Sequence, residues 1–271
     1  MLLRPPLQPC ILKQPMKYIA ATLITTALLL FTSCKKDPED PASVVQPIAM
    51  SVVKLTVKPV WANAPFDKNA VYGSAGGQRV QTTLLKFYLS PLELVANGTA
   101  QRLFDADLFD VTNGAVQRVL SIPAGNYQSL RFGLGLPPEI NHIALNTIDP
   151  NAPTGSNSGM YWSWASMYRF VIFEGHFDND LVATGPLPFN FSLHTGRDTC
   201  YRARTFPLPL TATGADTTRI TINVDVSRFF TDGNQVLDLS QGAVWHGEPD
   251  GFALGMKVAD LEIGALSVEA E

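Results

Sequence analysis

Apolar and polar residues alternate from Ser51 onward. Val53, Leu55 and Val57 interleave with Lys54, Thr56 and Lys58 before Pro59 ends the run. A period of two sends one set to each side of an extended chain, so the segment reads as a strand with one buried face. The same rhythm recurs. Thr82 to Val95 reads as a strand, or as two strands bent at Ser90-Pro91, and is followed by the hairpin signal Asn97-Gly98. Val116 to Ile122, the turn Pro123-Ala-Gly-Asn126 and Tyr127 to Leu134 form strand, turn and strand. Tyr168 to Phe173, Phe189 to Leu193, Thr205 to Thr211, Arg219 to Val226 and Val258 to Val268 supply further strands, with Gly185-Pro186 and Thr213-Gly-Ala-Asp216 as turns between them. No segment carries a long 3.6-residue period. The expected fold is therefore all-β, an antiparallel β-sandwich formed by one domain over residues 48–271. Asn141 to Gly159, rich in Asn, Pro, Ser and Gly, is too long for a tight turn and is expected to be a covering or functional loop.

The N-terminus reads as an address. Residues 1–33 carry Arg4, Lys13 and Lys17 but no Asp or Glu, and end in the apolar run from Tyr18 to Phe31. That order is a secretory signal. The run is short and Thr-rich beside the ~20 apolar residues of a membrane span. Thr32-Ser33 stands directly before Cys34, the order of a bacterial lipoprotein cleavage site. The expectation is a signal peptide over 1–33, acylation of Cys34, and a flexible tether over 34–47, giving an outer-membrane lipoprotein of the cell envelope. Lys35-Lys36-Asp37-Pro38-Glu39-Asp40 resembles the charged stretch after the lipidated cysteine of Bacteroidota surface lipoproteins. With 24 acidic residues against 20 basic ones, the chain lacks the excess of cations that nucleic-acid binding exploits.

The signatures GxSxG, HExxH, the Walker loop and the dinucleotide fingerprint are missing, and the chain is not expected to be an enzyme. Trp162 and Trp164, at i and i+2, are expected on one face of a strand beside Met160 and Ser166. Four histidines, His142, His176, His194 and His246, share no metal-ligand spacing, so any site must be assembled across strands. Cys200 has no mature partner except Cys34 and reads as a buried or metal-adjacent thiol.

An ordered series of motifs narrows the choice: Lys86-Phe-Tyr-Leu-Ser-Pro-Leu-Glu-Leu94, Ile122-Pro-Ala-Gly-Asn-Tyr127, Arg131-Phe-Gly-Leu-Gly-Leu-Pro137, Gly159-Met-Tyr-Trp-Ser-Trp164 with Tyr168-Arg-Phe170, and Phe191-Ser-Leu-His-Thr-Gly196. Together they resemble the MbnP-like copper-binding domain. The resemblance implies a β-rich fold and copper held by histidines. It also implies, for some members, a tryptophan oxidised to kynurenine and a partner dihaem cytochrome of the bacterial peroxidase type. On this chain it points to His194, His142 and His176 as metal ligands, with Trp162 or Trp164 as the oxidisable indole. Imidazole suits copper, and Cu(I) also accepts soft neighbours such as Cys200 and Met160. Met167 and Arg197-Asp198-Thr199-Cys200 depart from the family pattern. The implied function is a membrane-anchored copper protein that scavenges or buffers the metal. The alternative is a metal-free surface module for glycan or protein, with Trp61, Trp162, Trp164 and Trp245 as core or contact platforms. Convergence of His142 and His194, with or without His176 or His246, separates the two.

Overall fold

Strand alternation becomes two packed sheets. The computed structural model describes residues 48–164 and 167–270. The signal, Cys34 and the tether expected over 1–47 lie outside the described residues, as does Ser166. In chain order the strands begin with β1 (Met50–Trp61), β2 (Ala64–Pro65), β3 (Tyr72–Gly73), β4 (Arg79–Ala96), β5 (Thr99–Phe104), β6 (Asp107–Asp110), β7 (Val116–Pro123) and β8 (Gly125–Leu134). A single helical turn, α1 (Pro138–Asn141), precedes β9 (Tyr161–Trp162), β10 (Met167–Asp178), β11 (Phe189–Gly196), β12 (Arg202–Ala212), β13 (Thr217–Asp225) and β14 (Val244–Trp245). Helix α2 (Phe252–Gly264) and β15 (Leu266–Ala270) follow.

The smaller sheet has the order β15-β13-β1-β2, with β7 also on β1. The larger runs β12-β8-β4-β10-β11-β14, with β3, β5 and β6 on β4 and β9 on β10. Val53, Leu55 and Val57 are fully buried, as the alternation requires. They share their sheet with Ile220, Ile222 and Val224 of β13, also fully buried. Phe173 of the larger sheet packs against Phe191, Phe229 and Phe230, with ring centroids 4.9, 5.0 and 5.6 Å away. Each such side chain contributes roughly 1.5–3 kcal/mol by leaving water.

Two expectations are corrected. β1 pairs with β13 in parallel, as β11 does with β14, so the sheets are mixed rather than purely antiparallel. A period of two marks a strand but carries no direction. Val116–Ile122 and Tyr127–Leu134 are strands on either side of a turn, as expected, and they do not pair with each other. β7 pairs with β1 and β8 with β4 and β12, so the Pro123–Asn126 turn passes the chain between sheets, and the Tyr127 hydroxyl donates 2.7 Å to Pro123 O. Val258–Val268 is not a strand: α2 occupies its first part and β15 its last. Buried Gly255, Val258, Ala259 and Glu262 stand at i, i+3, i+4 and i+7 on one face of the helix, but a glycine and a glutamate interrupt the apolar pattern of that face, so no helical period shows in the sequence.

The segment from Asn141 to Gly159 does cover the sheet. The hydroxyls of Tyr88 and Tyr168 donate to Pro153 O at 2.8 Å and Thr154 O at 2.6 Å. Buried Asn141 accepts the Tyr168 N–H at 3.1 Å and donates to Asp198 Oδ1 at 2.8 Å.

Candidate metal centre

Strand register assembles the site. β10 and β11 pair so that Ile172 faces His194, Glu174 faces Ser192 and His176 faces Asn190. β14 places Val244 beside Ser192 and Trp245 beside Leu193. Alternation then sends Leu193, Thr195 and Trp245 into the core, while Glu174, Ser192 and His194 share the opposite face. His246 follows β14 and returns to that face.

The contacts are close. His194 Nε2 lies 2.6 Å from Glu174 Oε1 and 3.1 Å from Ser192 Oγ. His246 Nε2 lies 2.8 Å from the same hydroxyl. The two imidazoles stack, with centroids 4.4 Å apart and planes inclined by 26°. A serine has a single hydroxyl proton, so it satisfies at most one of the two ring nitrogens as donor. The His194 side chain is 7 % exposed. Burial depresses its pKa to about 4, with the His246 ring and the Arg169 guanidinium adding to the effect and the Glu174 hydrogen bond opposing it. His194 is therefore neutral near pH 7, the form in which imidazole binds metals. Its Nδ1 is buried without a hydrogen-bond partner.

Glycines admit the indole. Trp162 is 5 % exposed, and its ring lies over Gly196 and Gly247. A Cβ on Gly196 would collide with that ring, and one on Gly247 would stand 2.9 Å from it. Each histidine is thus followed within two residues by a glycine that leaves room for Trp162, a physical reason for the His-x-Gly motif. Arg197 takes a positive φ of 66°, a conformation that costs a non-glycine residue about 1–3 kcal/mol. Its Nε donates to Gly247 O at 2.6 Å and so ties the end of β11 to the His246 turn. Glu248 Oε2 accepts the His246 N–H at 2.7 Å. Burial raises the Glu248 carboxyl, but backbone donors and the two histidines outweigh it and hold the group below the usual range.

The other expected residues are dispersed. β9 ends at Trp162 and the chain turns, so Trp164 does not share its environment: Trp164 is 59 % exposed, with its ring 5.5 Å from Trp162. His142 Nε2 lies 3.0 Å from Asp198 Oδ2, and His176 Nδ1 lies 2.7 Å from Asn190 Oδ1. Neither meets the His194 ring. Met160 is fully buried in the core, and Cys200 is a buried free thiol whose pKa is pushed up by burial. Sequence reasoning missed Glu174 and Ser192, although Glu174-Gly-His176 and Ser192-Leu-His194 each place two polar residues on one strand face. Among the described residues no group of three or more His, Cys, Asp or Glu is arranged to hold a metal ion, so the arrangement offers two imidazoles.

The family model MbnP matches residues 50–246, from the first residue of β1 through His246. The chain belongs to the MbnP family. Among solved structures, MbnP from Methylosinus trichosporium is 17 % identical, covers 82 % of this chain and 99 % of that chain, and has a TM-score of 0.48. No curated protein matches. The MbnP match includes Trp162, His194 and His246, whereas α2 and β15 lie beyond it.

Proposed function

We propose that this MbnP-family chain binds copper, with His194 and His246 as the protein ligands. One observation carries the reading: two stacked imidazoles, one of them buried and neutral, direct their Nε2 atoms at a single serine hydroxyl beside buried Trp162. Two imidazoles suit copper, Cu(I) above all, better than structural zinc, which takes four protein ligands. Glu174 fixes the His194 ring, Arg197 and Glu248 hold the His246 turn, and Gly196 and Gly247 seat Trp162.

Trp162 is the indole best placed for oxidation to kynurenine, whose carbonyl and amine would add donors next to the histidines. That step needs an external oxidant, and the family resemblance names its class as a dihaem cytochrome of the peroxidase type. His142 and His176 play no part in this reading. Residues 1–47 support export and anchoring through acylated Cys34, which makes the protein an envelope lipoprotein that scavenges or buffers copper and catalyses no reaction.

The test is anaerobic Cu(I) titration of the protein against a colorimetric chelator, with tryptophan fluorescence followed in parallel. Saturable binding and quenching should vanish in His194→Ala and His246→Ala and persist in His142→Ala. Tightly bound copper should also make the melting temperature chelator-sensitive. Absence of specific binding both before and after oxidation of Trp162 would overturn the proposal and leave a metal-free surface module.

A further inference from the structure

A second polar cavity opens where β4 and β10 meet the Lys68–Asn69 segment. Its volume is about 190 Å³, and Lys68, Asn69, Gln81, Thr82, Thr83 and His176 line it. We propose that this cavity binds a phosphate-type oxyanion, free or as the phosphate of a larger molecule, independently of the His194–His246 pair.

Backbone geometry shapes the cavity. The β4–β10 register passes from Glu174 opposite Leu84 to Gly175 opposite Thr82, so Thr83 is an extra, unpaired residue. Such a bulge re-aims side chains and is common beside binding sites. It closes only because residue 175 is glycine: a Cβ there would collide with Gln81 O and stand 2.6 Å from the Phe191 ring. The bulge brings two successive threonines to the cavity wall.

The lining has the chemistry of an anion site. Lys68 is a cation, and no carboxylate lines the cavity, although acids outnumber bases in the chain. Asp67, next in sequence to Lys68, is occupied by the Asn69 N–H at 2.9 Å and the Asn69 amide at 3.2 Å. The Lys68 ammonium spends one proton on Asn113 Oδ1 at 2.5 Å and keeps two. His176 Nδ1 lies 2.7 Å from Asn190 Oδ1, an acceptor, which fixes the ring at the cavity wall. Gln81 Nε2 donates to Asn69 O at 3.1 Å and ties the loop to the sheet.

Thr83, exposed at the bulge, adds an uncharged hydroxyl donor to the lining. A lone cation is disfavoured by Lys68, and a sugar would lack an aromatic platform, since no aromatic ring other than the His176 imidazole lines the walls. The volume exceeds the share of a single water several-fold yet falls short of a drug-sized pocket, which fits a small tetrahedral anion.

The test is calorimetric titration of the full chain with inorganic phosphate and, separately, with glycerol phosphate, alongside melting curves. Saturable one-to-one binding of either is expected; the preferred one identifies the free anion or an ester as the source. Lys68→Gln should weaken binding about tenfold or more, while His194→Ala leaves it unchanged. Thr83→Val should shrink the rise in melting temperature that phosphate produces. No saturable binding of either anion, or binding undiminished in Lys68→Gln, would overturn the proposal.

Discussion

Glu262 makes the fold sensitive to alkali. It lies on α2, wholly buried, and takes the Thr195 hydroxyl at 2.9 Å on one oxygen while the other has no partner. Burial pushes its pKa from 4.5 up to about 8, against the pull of Thr195 and Arg202. Below pH 4.5 the carboxyl is protonated in both folded and unfolded chains and does not affect their balance. As pH rises, the unfolded chain sheds the proton first and is favoured by about 1.4 kcal/mol per pH unit. The loss levels off above about pH 8, where the folded form ionises too. Between pH 5 and pH 8 this amounts to roughly 4 kcal/mol, a large share of the 5–15 kcal/mol that holds a domain folded. Glu262→Gln keeps the shape and stays neutral, so it should remove this component. Urea unfolding of both proteins at half-unit steps from pH 5 to pH 8 measures the difference between their stabilities, in which other titrating groups cancel. Parallel curves for the two proteins would refute the reasoning, because Glu262 would then ionise in the folded state as it does in the unfolded one.

Other residues give shorter tests. His194, depressed to about 4, should stay neutral in nitrogen-15 NMR spectra down to pH 5; its contribution to stability, complete above 6.5, is lost as pH falls from there to about 4, and a ring titrating near 6.5 would contradict its burial. Gly196→Ala forces a methyl into the Trp162 ring and within 2.7 Å of Tyr168 O; overpacking should cost about 1–3 kcal/mol in urea melts, and an unchanged midpoint would mean the indole does not rest on the glycine. Trp162→Ala should cost about 3–5 kcal/mol, against less than about 1 kcal/mol for exposed Trp164→Ala. Equal losses would deny that the two indoles sit in different surroundings.

Local pattern was readable where one residue's surroundings depend on its neighbours in sequence. Val53, Leu55 and Val57 are buried as their spacing requires, and Asn97-Gly98 turns with φ of 48° and 79° between β4 and β5. The Thr82–Val95 strand runs unbroken through Pro91 within β4, its pairing with β8 shifted between Ser90 and Glu93. His194 was visible through its His-x-Gly motif. His246 could not be matched to it, because their meeting depends on two parallel rungs between β11 and β14, and alternation carries no register. Trp162 and Trp164 look equivalent in sequence; only the turn after β9 separates the buried ring from the exposed one. Glu262 stands on the buried face of α2, two residues from exposed Asp260, and nothing in the sequence alone tells the buried acid from the exposed one.

The His246 turn also acts as a clasp. Ser192 and His246 are 54 positions apart, yet β14 joins β11 through only two residues. Drawing together the ends of so long a loop costs about 4 kcal/mol in a free chain. The Arg197–Gly247 and His246–Glu248 hydrogen bonds keep this loop fastened, and Trp245 lies on Gly255 of α2 just behind it. A ligand gripped by both imidazoles would lock the clasp as a removable cross-link, and its departure would loosen the turn and the footing of α2 together. Protease access near residue 247 would then report whether the site is filled.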